Sequence, residues 1–134
     1  MSKLTIEVVT PEQVVFSGEA TMVIARGVEG DVGIMPNHMP LVTPLKIAPV
    51  RIKTVGDKEI AIAVSGGFME VRGVKVTILA ETAELPEAID VERAKAAKSR
   101  AEQRLIDKHP DLDLRRAERA LARAIARLDV TKNI

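Results

Sequence analysis

Two hydrophobic periods divide the chain. From Leu4 the pattern repeats every second residue, with Leu4, Ile6 and Val8 on one side and Thr5, Glu7 and Val9 on the other. That is the signature of a strand with one buried face. Further β-rich runs lie at Ala20–Arg26, Leu41–Leu45, Val50–Val55, Glu59–Val64, Phe68–Arg72 and Lys75–Leu79, and Val50/Ile52 against Arg51/Lys53 is a second clean alternation. Thr10-Pro11, the stretch from Gly27 to Gly33, Pro36-Asn37, Gly56-Asp57, Gly66-Gly67 and Gly73 read as the turns between them. Gly56-Asp57 has Gly first, which suits a type II′ hairpin because positive φ costs Gly nothing. Short strands at this spacing predict a β-sandwich or flattened barrel.

The period changes after Leu79. Ala80–Ala88 reads as a connector containing Pro86, and from Asp90 the residues are helix formers, Val-Glu-Arg-Ala-Lys-Ala-Ala-Lys. Asp90 is placed to cap that helix, where its carboxylate meets free amides and the positive helix end. Pro110 excludes α geometry from its predecessor and so stops the helix near His109. Asp111 and Asp113 open a second helix running to about Leu128, and so short a connection predicts an antiparallel hairpin. On the second helix Leu114, Ala117, Leu121, Ala124, Ile125 and Leu128 form one apolar stripe, with Arg116, Arg119, Arg123 and Arg127 on the opposite face. Several stripe positions in both helices are Ala, which favours helix but forgoes about 0.8 kcal/mol for each CH₂ a Leu would bury. The pattern predicts a β domain over residues 1–86 and a helical hairpin over residues 87–134, docked weakly enough to move.

Composition narrows the chemistry more than the fold. Phe16 and Phe68 are the only aromatics, so the core is expected from Val, Ile, Leu, Met and Ala, and base-stacking platforms are missing. The absence of cysteine excludes disulfides, thiolate metal sites and Cys nucleophiles together, and fits a reducing compartment. No apolar run approaches the roughly 18 residues that span a bilayer, and no signal-peptide stretch opens the chain, so a membrane is expected to be met only through a partner. The net charge of +1 is unevenly spread: 8 Lys/Arg stand against 10 Asp/Glu through residue 86, and 12 against 9 beyond it.

No GxxxxGK[ST] is present, which excludes a P-loop. Gly27, Gly30 and Gly33 precede a Pro-rich segment rather than a helix and so read as turn glycines, not phosphate binders. His38 and His109 each lack ligand spacing, and His38, between Pro36 and Pro40, reads as a loop or interface residue. Neither a metal site nor a catalytic residue is predicted. The arginine face has three readings that composition does not separate: a solvated surface, a dock for an acidic protein surface, or a site for an anion or nucleotide phosphate. Nucleic acid fits poorly, because Trp and Tyr are missing and the β domain is net acidic.

The stretch Gly30-Asp-Val-Gly-Ile-Met-Pro-Asn-His-Met-Pro-Leu41 closely resembles the hallmark loop of the epsilon-subunit family of bacterial F-type ATP synthases, most like its bacillus members. Val64-Ser-Gly-Gly-Phe-Met-Glu70, Val74-Lys-Val-Thr-Ile-Leu-Ala80 and Ile89-Asp-Val-Glu-Arg-Ala94 resemble the same family in the same order, so the likeness runs essentially end to end. One departure is Asn37, where the family commonly has Gly. Asn tolerates φ > 0 best after Gly, so the same turn is expected. The resemblance implies an all-β sandwich of about ten strands in two sheets, followed by an antiparallel two-helix C-terminal hairpin. It implies a non-catalytic rotor subunit that couples rotation of the c-ring to ATP synthesis, with the gamma subunit against one side of the sandwich and the c-ring against one end. Gly33, Met35, His38 and Met39 would be rotor contacts. The implied place is peripheral, on the cytoplasmic side of the cell membrane, with the membrane reached only through the c-ring.

The family's hairpin is known as a regulator. Folded on the sandwich it permits hydrolysis; extended along gamma it reaches the alpha and beta catalytic subunits and inhibits ATP hydrolysis. Arg116, Arg119, Arg123 and Arg127 would make that inhibitory contact. In some bacillus-type members the folded hairpin binds ATP through a motif Ile/Leu-Asp-x-x-Arg-Ala, matched here by Ile89, Asp90, Arg93 and Ala94. By the same resemblance Glu84 and Asp90 would meet the adenine side, with Ile89 and Ala94 packed near it. Arg93, Arg100, Arg123 and Arg127 would meet the phosphates. A magnesium requirement stays open, as does the simpler role of Asp90 as a helix cap alone. The rival from another class is a free-standing nucleotide sensor or nucleic-acid-binding module with no part in a synthase.

Overall fold

The computed structural model describes residues 3–56 and 58–132. Seven strands come first: β1 (Leu4–Val9), β2 (Val14–Gly27), β3 (Gly30–Ile34), β4 (Leu41–Thr54), β5 (Glu59–Arg72), β6 (Lys75–Ala80) and β7 (Ala83–Glu84). A 3₁₀ turn at Pro86–Ala88 leads into α1 (Val91–Asp107) and α2 (Leu114–Thr131). The strand order is β1-β6-β5-β4-β2-β3, and β1 pairs β2 as well as β6, so the ladder closes on itself as a flattened barrel. β7 adds to β5.

Three strands of 14 residues each serve both layers of this sandwich. The first half of β2 pairs β1 and its second half pairs β3 and β4. The first half of β5 carries β7 and its second half carries β6. Counting the halves of β2, β4 and β5 separately recovers about ten segments; as continuous strands there are seven. The sequence pattern divides β4 near Pro49 and β5 at Gly66-Gly67, yet both strands run through. Pro49 lies where the β2–β4 register is interrupted, between Ile24↔Arg51 and Gly27↔Leu45, so its missing N–H is tolerated there. Gly66 (φ +80) and Gly67 (φ +125) are a bend inside β5, not a turn. A Cβ on Gly67 would come within 2.0 Å of the Leu79 carbonyl oxygen, so only Gly lets β5 meet β6 there.

Two further expectations are corrected. Gly27 to Gly33 is not one turn: Val28 and Glu29 make the turn, and Gly30–Ile34 is a strand paired with β2. The connector Ala80–Ala88 contains β7, set by pairing Ala63 with Glu84. Asn37 has φ 70, the turn conformation expected when Asn replaces Gly. The type of the Gly56-Asp57 turn lies outside the described residues because of Asp57.

The sandwich core is aliphatic, with Leu4, Ile6, Val8, Val23, Ile34, Ile52, Ile62, Met69 and Ile78 buried, while Phe68 is exposed. Leu4, Ile6 and Val8 all point inward, and Val50 and Ile52 are buried between exposed Arg51 and Lys53, as the alternations predict.

Both helices carry the caps read from the sequence. The Asp90 carboxylate accepts from the Arg93 N–H at 3.1 Å, and Asp113 accepts from the Arg116 N–H at 3.1 Å. α1 ends on Lys108 in the left-handed region (φ 45, ψ 50), just before His109-Pro110. The single-stripe picture of α2 fails in part. Leu114 and Ile125 are exposed, whereas Ala126 and Val130, outside the stripe, are buried. α2 is packed on two sides, against α1 and against the β4/β5 face, so its buried surface is wider than one stripe. The buried helical side chains are Ala94, Ala101, Ala117, Ala124, Ala126 and Val130. Each Ala in place of Leu forgoes about 2 kcal/mol of burial.

Gly67→Ala should destabilise the sandwich by on the order of 3 kcal/mol or more, read as a fall in the denaturant midpoint. Lys108→Gly removes the strain of a side chain in the left-handed region and should slow amide exchange across the hairpin, by about 1 kcal/mol of protection.

Candidate functional site

Where the hairpin meets the sandwich, a cleft of about 370 Å³ is lined by Glu84, Ala88, Ile89, Asp90, Arg93, Ala94, Ala97, Arg100 and Arg127. Each wall has a local cause. Pairing of β7 with β5 carries Glu84 to the sandwich edge. The 3₁₀ turn delivers Ala88, and Ile89 packs beside Ala61 and the buried trio Ala63, Ala126 and Val130. The Asp90 cap starts α1 so that Arg93, Ala94, Ala97 and Arg100 follow one another at helical spacing along one side. α2 brings Arg127.

The electrostatics of the cleft are those of a basic site with two committed acids. Arg93, Arg100 and Arg127 supply three guanidiniums against two carboxylates. Asp90 is held by the amide of Arg93, so the capping role is present; its side chain still lines the cleft. Arg127 donates from Nε to Glu84 Oε1 at 2.5 Å, with both side chains 31% exposed. Ala88, Ile89, Ala94 and Ala97 make the rest of the lining apolar. Such a site can take an anion joined to a flat or apolar group: the guanidiniums offer forked donors and the alanines leave room. Among the described residues no group of three or more His, Cys, Asp or Glu side chains could hold a metal ion.

Seven of the eight residues expected at a nucleotide therefore line one cleft. Arg123 does not. It sits one turn before Arg127 and lines a separate depression of about 460 Å³ with Asp113, Arg115, Arg116 and Arg119. Arg116 and Arg119 are exposed and Arg123 is half-buried, while Arg127 is turned to Glu84. The four arginines are thus divided between two surfaces, and Arg115 joins the outer one. The sequence reading missed Ala88 and Ala97, which have no polar signal; the helical spacing of Ala97 from Arg93 and Ala94 is a clue, while Ala88, in the 3₁₀ turn, has none.

The residues expected at the rotor lie on the sandwich, away from the cleft. Gly33 is exposed in β3, opposite Ile24 of β2. Met35 and Met39 are exposed, Met39 by 77%. His38 is half-buried, with Nδ1 2.6 Å from the Met39 carbonyl oxygen and its backbone N–H donating to the Met35 carbonyl. A second apolar surface, unmarked in the sequence, is a groove of about 440 Å³ whose walls include Val9, Pro11, Phe68 and Leu79. No helix among the described residues is long and apolar enough to cross a membrane.

Comparison with known proteins gives the family. Residues 3–86 match the family described as "ATP synthase, Delta/Epsilon chain, beta-sandwich domain" and residues 87–132 the one described as "ATP synthase, Delta/Epsilon chain, long alpha-helix domain". The chain is 76% identical over 132 residues to the ATP synthase epsilon chain of Brevibacillus brevis, covering 98% of this chain and 100% of that one. It is 53% identical over 133 residues to the epsilon chain of Bacillus velezensis, covering 99% and 100%. A chain in the cryo-EM structure of Euglena gracilis mitochondrial ATP synthase superposes with a TM-score of 0.81 at 23% identity, over 96% of this chain and 81% of that chain. A chain of the Tetrahymena thermophila mitochondrial ATP synthase central stalk and c-ring gives 0.56 at 16% identity, over 98% and 95%. These two structural likenesses speak for the fold alone. Matched along nearly its whole length by both parts of the family, the chain belongs to the ATP synthase delta/epsilon chain family, among its bacterial epsilon chains.

Proposed function

We propose that this non-catalytic subunit is a central-stalk component with two jobs: its sandwich attaches to the rotor, and its hairpin senses ATP and restrains hydrolysis. The observation that carries the sensing role is the convergence of Glu84, Ile89, Asp90, Arg93, Ala94, Arg100 and Arg127 on one cleft between sandwich and hairpin. The donor set suits ATP, with three guanidiniums for the phosphates and Ala88, Ile89, Ala94 and Ala97 for the base and sugar. A ligand there touches α1, α2 and β7 together, so it favours the folded hairpin only by its differential affinity for that form. Asp90 and Glu84 each already accept a hydrogen bond, and the arginines at hand neutralise phosphate.

For the rotor, the exposed Met35 and Met39 beside β3 offer one end of the sandwich to the c-ring. The groove of Val9, Pro11, Phe68 and Leu79 offers a side to gamma. A barrel closed by β1–β2 pairing is stiff, as a part that transmits torque must be. The membrane is then met through the c-ring, on the cytoplasmic side. The outer depression of Arg115, Arg116, Arg119 and Arg123 is open in the folded form and would reach acidic residues of the catalytic subunits when the hairpin extends.

Two measurements test these roles. Calorimetric titration of the chain with ATP should show saturable heat that Arg93→Ala weakens about tenfold or more, the loss of one charge-assisted contact. Asp90→Asn keeps the helix cap and removes only the charge; unchanged heats in both variants would sink the site. Truncation after Glu87 should raise ATP hydrolysis by the assembled synthase, and equal suppression without the hairpin would refute its inhibitory role.

A further inference from the structure

Arg127 and Glu84 lie 43 positions apart, on α2 and β7, and theirs is the only ion pair joining hairpin to sandwich among the described residues. The other ion pairs stay within one part: Lys3–Glu19, Arg26–Asp31, Arg51–Glu59 and Arg72–Glu70 in the sandwich, and Lys95–Glu92, His109–Asp111 and Lys132–Asp129 in the hairpin. Around Arg127–Glu84 the seam is Ala126 and Val130 on Ala63, with Ala61 and Ile89 at its margin, so little apolar area backs it. At 31% exposure on each side the pair is more sheltered than any other ion pair of the chain's described residues. It is also a wall of the cleft, whose remaining guanidiniums, Arg93 and Arg100, have no carboxylate partner among the described residues.

We infer that Glu84 is an internal competitor for the anionic ligand: its carboxylate holds the phosphate-binding Arg127 in the ligand-free chain, and a polyphosphate enters by taking Arg127 from it. The inference rests on the nucleotide reading of the cleft and gives Glu84 a role other than contact with a base. A guanidinium has five N–H donors in a fixed fork, but one forked face serves either a carboxylate or a phosphate. A phosphate entering beside Arg93 and Arg100 finds its third cation already neutralised. Exchange moves Arg127 from a bond to the sandwich to a bond shared, through the ligand, with α1. The direct bond between α2 and β7, the clasp of hairpin to sandwich, is then replaced by one that runs through the ligand, which lies against β7 and both helices. Glu84 thereby sets the ligand concentration at which the site fills, since its own bond must be given up each time.

Glu84→Gln in the full chain tests this with tripolyphosphate, a probe with no base, and ATP as separate titrants. Removing the competing charge should tighten tripolyphosphate binding roughly three- to tenfold, the range expected of a half-sheltered pair. In the ligand-free variant, amide exchange of α2 should be faster than in the parent chain, because the clasp is gone. A Glu84→Arg/Arg127→Glu exchange rebuilds the clasp with the charges reversed. It should return α2 exchange toward the parent rate while abolishing tripolyphosphate binding, which shows that both variants fold. If Glu84→Gln leaves tripolyphosphate affinity unchanged or weaker, the competition is refuted even where ATP still binds. If the parent chain binds neither titrant, the nucleotide reading itself fails, and the competition with it.

Discussion

The contact of α2 with the β4/β5 face is what joins the two parts of this molecule and builds the cleft between them. Its buried members are Ala63, Ala126 and Val130, bordered by Ala61 and Ile89, and one ion pair from Arg127 to Glu84 crosses it. Alanines let the helix lie close without gripping, because each buries little area. The cleft and the placement of Arg127 against Glu84 hold only while this seam is closed. Opening it leaves the barrel intact, since the barrel's own core is closed by β1 pairing with both β2 and β6 and filled by Leu4, Ile6, Ile52, Ile62 and Ile78.

The two parts are held by different interactions. The sandwich depends on long ladders and a dry aliphatic core, and its 14-residue strands bend between layers at special positions such as Gly66-Gly67. The hairpin depends on helix propensity, on the packing of α1 against α2 and on caps: Asp90 and Asp113 each satisfy a first-turn amide. Helical geometry keeps Arg116, Arg119 and Arg123 in register at three- and four-residue spacing along α2.

Much of this was legible in the residues. Period-two alternation at Leu4–Val8 and Val50–Lys53 marked the inward faces, and the cap at Asp90, the stop at Pro110 and the cap at Asp113 set both helices within a few residues. Three errors share one origin. Gly66-Gly67 reads locally as a turn, Gly27 to Gly33 as another and Ala80–Ala88 as connector, because turn chemistry is local whereas strand continuity is decided by a neighbour. β4 runs on past Pro49 because β5 pairs it on one side along its length, and β7 exists only because β5 offers an edge at Ala63 and Val64. The α2 stripe erred for a related reason. A helical wheel assumes one buried face, and Ala126 and Val130 face a second partner that the wheel does not contain.

The sequence by itself determined the division into β and helical parts, the aliphatic core, the caps, and the family motif Ile89-Asp-Val-Glu-Arg-Ala94, since these follow from period, propensity and local hydrogen bonding. Only the tertiary structure decided which arginines share a site. Arg123 and Arg127 are one turn apart and equal in every local respect, yet Arg127 turns to the cleft and Glu84 while Arg123 joins Arg115, Arg116 and Arg119 outside. The difference arises because α2 lies between α1 and β5, and the position of Glu84 is fixed by its pairing across from Ala63 in a strand far away in the sequence.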